Sequence, residues 1–306
     1  MSVPRFYGAD ALAGWKVVLD AVHDAGGRMM PQLWHAGMVR NPQDMAVLNP
    51  GVPSIGPSGL GFEKLGDAAP AKLSRPMSLA DVDGVIEAYG IAARSAEQLG
   101  FDGIEIHGGH GYLIDQFFWN VTNKRSDRFG GKIRNRSQFA AEIVRECRRT
   151  TRSDFPISFR FSQWKVANYG AILVHNPGEL EQFLDPLLMA GVDILHCSTR
   201  RYWDPAFDRS PLSLAGWTRR ISGKPTVIVG SIGLDRIYES RHFEPANYVA
   251  NSAPLDRLLS MYANDEFDLV AVGRALLVDP NWATKVRAGR GREISPFTPK
   301  ARDIYY

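Results

Sequence analysis

One pattern limits what this chain can fold into. Short apolar runs rich in Ile, Val, Leu and Phe alternate with longer segments of helical period, and the runs lie too far apart in sequence for hairpins. Such alternation specifies repeated strand-helix units around a parallel sheet, because parallel neighbours must be joined by a crossover. Six strands are expected, at Arg28 to Trp34, Gly103 to His107, Pro156 to Phe161, Val192 to Cys197, Pro225 to Val229 and Phe267 to Val272. Each is largely apolar, as a strand covered on both faces should be. Helices are expected at Asp10 to Ala25, Leu79 to Leu99, Asn135 to Arg149, Pro177 to Ala190, Pro254 to Ala263 and Pro280 to Ala288, the first opening on an Asp suited to capping. No Ser/Gly linker or low-complexity tract interrupts the series.

The expected fold class is α/β, a TIM (β/α)8-type barrel forming a single domain over residues 1–306, truncated at its N-terminus to six recognisable strands. A closed barrel of this type needs eight. The chain opens directly into a helix ahead of what should be the third strand, so the first two are expected to be absent. An open barrel would expose two sheet edges unless a partner covers them.

Composition excludes several classes of function. The 36 Lys and Arg stand against 33 Asp and Glu, a net charge of +3, and no tract clusters the basic residues. Neither nucleic acid nor a membrane surface is an expected partner. Cys147 and Cys197 are the only cysteines, too few and too distant for a metal cluster or a disulfide framework. There is no apolar run of membrane-spanning length and no signal-peptide profile, so a cytoplasmic location is expected.

In barrels of this type the chemistry sits just beyond the C-terminal strand ends. Those ends read QLWHAG, IEIHGGHGYLIDQF, SFRFS, LHCST, VIVGSIG and VAVGRAL. Each offers a polar side chain, or a glycine that lets a ligand come close.

The run from Gly100 to Gly131, GFDGIEIHGGHGYLIDQFFWNVTNKRSDRFGG, resembles the signature segment of the Old Yellow Enzyme family. The strand-end motifs on either side agree in order and spacing, and the similarity runs from about Trp15 to Arg287. The resemblance implies that His107 and His110 hydrogen-bond the carbonyl or nitro oxygen of an activated alkene and that Tyr112 supplies a proton. Physically, a hydride arriving at the β-carbon pushes negative charge onto that oxygen, where two imidazole donors stabilise it. A nearby phenol then protonates the α-carbon. Half of a metal site, with His35 as a third ligand, is the competing reading of the two histidines. Their place on a Gly-rich turn rather than a helix favours donors, and no metal is expected. Phe117, Phe118 and Trp119 read as packing residues.

The resemblance also implies FMN as cofactor, with NADPH or NADH as reductant. Gln32 and Arg160 match the positions that bond the flavin pyrimidine edge, although Arg160 could instead pair with Asp102 or Glu105, and Gln32 could cap backbone groups. Gly230, Ser231, Gly273 and Arg274, in the loops after the last two strands, match the phosphate pocket. The loop Arg200 to Trp203 could roof the pocket, contact a nicotinamide cofactor's phosphate, or remain solvated surface. The distant cysteines argue against the iron–sulfur branch of the family. The expected function is an ene-reductase passing hydride from NAD(P)H through FMN to an enone, maleimide or nitroalkene. The alternative is a flavin-free remnant acting as a scaffold or oligomerising protein. Self-association as a homo-oligomer is compatible with either.

Overall fold

The computed structural model describes residues 4–40, 51–63, 67, 69–237 and 247–303. The chain divides into two compact units, residues 1–195 and 196–306.

In the first unit the order is α1 (Ala9–Asp24), β1 (Gln32–Leu33), β2 (Leu60–Gly61), β3 (Ala71–Lys72), α2 (Leu79–Leu99), β4 (Ile104–His107), α3 (Leu113–Phe118), α4 (Ile133–Arg136), α5 (Gln138–Thr150), β5 (Ile157–Ser162) and α6 (Pro177–Met189). Strands β1, β4 and β5 are parallel neighbours in that order, with Gln32 beside Glu105 and His107 beside Arg160. A small antiparallel pair, β2 with β3, was not expected from the sequence. The strand expected from Arg28 to Trp34 is only two residues long.

The apolar expectation holds on one face of these strands and fails on the other. Ile104, Ile106, Ile157, Phe159 and Phe161 are buried, and the Phe161 ring lies 5.1 Å from that of Phe183 on α6. The alternate positions carry Glu105, His107, Ser158, Arg160 and Ser162, because successive strand side chains point to opposite faces. The polar face is stitched laterally: Gln32 donates to Glu105 Oε1 at 2.6 Å, and the Ser158 hydroxyl donates to Glu105 Oε2 at 3.0 Å.

Local signals account for the helices behind the sheet. Helix α2 starts where the Ser78 side chain accepts from Asp81 N while Asp81 reaches back to Ser78 N, and it stops at Gly100, whose φ is 93°. It packs on α5 at very short range, since a Cβ at Gly90 would stand 2.7 Å from Glu146 Cγ. That approach lets Thr150 Oγ1 donate to Gly90 O at 2.9 Å and leaves Ala93, Ile143, Val144 and Cys147 fully buried. Each large apolar side chain buried here contributes roughly 1.5–3 kcal/mol. Phe117 and Phe118 are fully buried, with Phe117 stacked on Phe139 at 4.0 Å, and Trp119 is also buried, as expected of packing residues.

Strand β6 (Ile194–Ser198) spans the division. The second unit continues with α7 (Leu214–Ser222), β7 (Thr226–Val229), α8 (Asp256–Ala263), β8 (Leu269–Val270), α9 (Arg274–Val278) and α10 (Trp282–Arg287). Strands β7 and β8 are parallel. Helix α7, capped by Ser213 and ended by Gly223 in the left-handed region, has no counterpart in the sequence reading. Strand β8 departs from the expectation of two-sided cover, since Leu269 is 51% and Val270 40% exposed.

Candidate active site

The first unit brings His107, His110 and Tyr112 together. His107 is the last residue of β4, and beyond it the chain must pass very close to β5. Gly108 N donates to Arg160 O at 2.7 Å, and a Cβ on Gly108 would stand 2.3 Å from the Phe159 ring, so only glycine fits there. His110 follows with φ of 63°, in the left-handed region that costs a non-glycine residue about 1–2 kcal/mol. Its backbone N–H donates to Ser162 Oγ at 2.9 Å. Tyr112 precedes the first turn of α3.

The rings converge as a result. His107 lies 4.9 Å from His110 and 5.3 Å from Tyr112, centroid to centroid. Two tryptophans wall the group: Trp34, just past β1, meets Tyr112 edge-on at 4.9 Å, and Trp164, just past β5, stacks on His110 at 4.4 Å. The Nε1 atoms of both tryptophans are buried and make no hydrogen bond among the described residues. Behind this cluster His35 Nδ1 accepts from Gly37 N at 3.0 Å, and burial, aided by the Arg40 charge, holds the imidazole pKa down to about 4. His35 O accepts from Leu113 N at 3.1 Å, which fixes the start of α3.

Gln32 and Arg160 both gather on Glu105. Burial pushes the Arg160 guanidinium below its usual pKa, and the neighbouring Glu105 charge opposes that shift. Gln32 bonds a carboxylate rather than backbone groups, and Asp102 is engaged by Arg28 and His23. Among the described residues no three His, Cys, Asp or Glu side chains are placed to hold a metal ion.

Four further expected residues, Gly230, Ser231, Gly273 and Arg274, meet in the second unit, after β7 and β8. Gly230 has φ of 145°, and a Cβ there would stand 2.6 Å from Thr199 Oγ1 and 2.9 Å from Tyr202 N. Tyr202 N donates to Gly230 O at 3.0 Å, so the Arg200–Trp203 loop backs this turn. Ser231 has φ of 53°. Arg274 donates to Ser231 Oγ at 3.1 Å, Arg236 O at 2.8 Å, Tyr248 Oη at 2.7 Å and Ile237 O at 3.3 Å. All four acceptors are neutral oxygens, and no carboxylate pairs with Arg274 among the described residues. A guanidinium held rigidly by neutral groups keeps its charge for an anion, and the space beside Gly273 is open. These residues fit a phosphate group.

Sequence reasoning missed Trp34, Trp164, Asp115 and Lys165. Asp115 and Lys165 form a fully buried ion pair, Nζ to Oδ1 2.7 Å, beneath the His110 turn. Burial pushes Lys165 down and Asp115 up in pKa, and their mutual attraction opposes both shifts. The available signal was a lysine three residues past a strand end, in SFRFSQWK.

Strands, helices and strand-end groups together define a parallel α/β protein with its polar residues at the C-terminal strand ends. Residues 2–250 match the model of the NADH:flavin oxidoreductase / NADH oxidase family. An NADH oxidase of Thermoanaerobacter brockii is 32% identical over 92% of this chain, which spans 40% of that protein. The probable NADH-dependent flavin oxidoreductase YqiG of Bacillus subtilis is 30% identical, over 95% of this chain and 71% of its own length. The solved structure of morphinone reductase with tetrahydroNAD aligns over 98% of this chain and 76% of its own, with a TM-score of 0.74 at 24% identity. The chain therefore belongs to the NADH:flavin oxidoreductase / NADH oxidase family, the Old Yellow Enzyme family that its motifs resemble, and shares that family's (β/α)8-barrel fold class.

Proposed function

We propose that this chain is an FMN-dependent ene-reductase moving reducing equivalents from NADH or NADPH to the activated C=C bond of an enone, maleimide or nitroalkene. The observation that carries this reading is the convergence of His107, His110 and Tyr112 at the end of β4. The relatives named as NADH oxidase and NADH-dependent flavin oxidoreductase support it.

When bound, FMN supplies the hydride that reaches the alkene β-carbon. The remaining work falls to the chain. Ring N–H groups of His107 and His110 donate to the substrate oxygen as negative charge develops there. The Tyr112 hydroxyl gives its proton to the α-carbon. Trp34 and Trp164 exclude water from a flat substrate and strengthen those hydrogen bonds by lowering the local polarity. Gln32 and Arg160 hold the pyrimidine edge of the flavin, with the Arg160 cation opposing charge that accumulates on it. Gly230, Ser231, Gly273 and Arg274 hold the phosphate. A cytoplasmic location suits the two buried thiols, Cys147 and Cys197, and no helix among the described residues is long and apolar enough to cross a membrane.

The test is a titration of the protein with FMN, followed by quenching of flavin fluorescence, and then an assay of NAD(P)H consumption with 2-cyclohexenone. The expected result is one tightly bound FMN per chain and turnover that depends on the enone. Binding without enone-dependent turnover removes the ene-reductase reading. Absence of binding leaves the flavin-free scaffold.

A further inference from the structure

The ends of β4 and β5 are fastened to each other just under the His110 turn. Lys165 Nζ lies 2.7 Å from Asp115 Oδ1, and neither side chain is exposed at all. Asp115 Oδ2 accepts from Gly111 N at 2.6 Å, so the carboxylate grips the residue between His110 and Tyr112. From the β5 side, Ser162 Oγ accepts from His110 N at 2.9 Å, and Val166 N donates to His110 O at 3.1 Å. Trp164, the residue before Lys165, lies stacked on the His110 ring. His110 N, His110 O and Gly111 N are thus held by β5, by the segment that follows it, and by the carboxylate that Lys165 holds.

Such a pair is a poor device for stability alone. Two charges withdrawn from water are often matched or exceeded in stability by apolar side chains of similar volume, whereas a charge pair fixes register and orientation. The element it fixes here is a non-glycine residue in the left-handed region, a conformation that persists only where its surroundings hold it.

We propose that Lys165 and Asp115 are positioning residues: their buried ion pair clamps the His110–Tyr112 turn so that the His110 imidazole and the Tyr112 phenol face the same substrate. This rests on the ene-reductase reading for its consequence in catalysis, but not for its consequence in structure.

The test uses the full chain with all histidines labelled with 15N, the His110 signals being assigned by their loss in His110→Ala. In Asp115→Leu/Lys165→Met no charge is left unpaired, so the fold is expected to survive, with circular dichroism and FMN affinity close to wild type. The His110 ring resonances should shift and broaden, those of His175 should not, and kcat with 2-cyclohexenone should fall about 10- to 100-fold, by more than KM rises. The polar pair Asp115→Asn/Lys165→Gln, which leaves no charge unpaired and retains an acceptor for Gly111 N, covers the case in which the apolar double variant does not fold, and should move the same resonances. Lys165→Arg retains the cation and should bring the His110 signals back toward wild type. Unchanged His110 resonances in every folded variant overturn the proposal. Shifted resonances with kcat and KM unchanged overturn the positioning role in catalysis. If the wild type itself does not reduce enones, the function proposed above fails, while the imidazole spectra still decide whether the pair clamps the turn.

Discussion

The two groups of candidate residues solve different physical problems. At the ends of β4 and β5 the active groups are side chains packed against other side chains: imidazoles and a phenol between two indoles, on a turn held by a buried ion pair, a serine and the backbone of Val166. After β7 and β8 the active groups are backbone and one guanidinium, surrounded by carbonyls and hydroxyls. Chemistry at a reacting atom needs particular donors at particular angles. A phosphate needs positive potential and room, which many side-chain contexts permit. The first region should therefore fail in rate when altered, and the second in affinity.

The largest effect is expected from Tyr112→Phe. Loss of the proton donor should lower kcat for an enone about 10²- to 10⁴-fold, with FMN affinity unchanged within a factor of two or so. Steady-state kinetics and flavin titration on the same preparation check it. A parallel loss of affinity would blur the contrast.

Arg274→Ala should do the reverse. Removing a charge-assisted contact of about 1.5–3 kcal/mol weakens FMN binding roughly 10- to 150-fold. Affinity for riboflavin, which has no phosphate, should be unaffected, and kcat at saturating FMN should stay near wild type. Equal weakening for both flavins would remove Arg274 from the phosphate site.

Acid should separate the regions more gently. The unfolded imidazole of His35 takes up a proton as pH drops below about 6.5, while the folded one resists until about 4. The unfolded state then binds more protons, so stability is fully present above about pH 6.5 and is lost progressively as pH falls toward 4. Segment-resolved hydrogen exchange across that window should show α3 and its preceding turn losing protection before β7. His35→Asn should flatten the dependence.

The smallest change expected is Ser78→Ala. It removes the cap of α2, whose hydroxyl bonds Asp81 and none of the candidate residues, and should cost about 1 kcal/mol in urea unfolding without altering kcat or FMN affinity.

What could be read from sequence follows the same division between local and non-local information. Helix α2 was legible to the residue because its cap, Ser78, and its stop, Gly100, are both local signals. His107, His110 and Tyr112 were legible because six residues of one chain segment carry them. The glycine turns of the second unit were legible as spacing, but the neutral cradle of Arg274 was not, since Tyr248 lies 26 residues away. Trp164 and Lys165 escaped for that reason too. They meet His110 and Asp115 only once β4 and β5 lie side by side, and the ion pair joins residues 50 apart. Helix α3 and helix α7 were missed because six and nine residues carry little periodicity and neither follows directly on a proline, the signal that opened the expected ranges of the equally short α8 and α10. The exposure of Leu269 and Val270 could not be read at all, as an apolar strand looks the same whether or not something covers it.

Anaerobic mixing of reduced, FMN-loaded protein with 2-cyclohexenone, with flavin absorbance followed in time, addresses the convergence of His107, His110 and Tyr112 most directly. Reoxidation should saturate with enone and be slowed at least about 10²-fold in both His107→Ala and Tyr112→Phe, but not in Arg274→Ala at saturating FMN. Wild-type rates in the first two variants, or no reoxidation by enone in any form of the protein, would contradict the account.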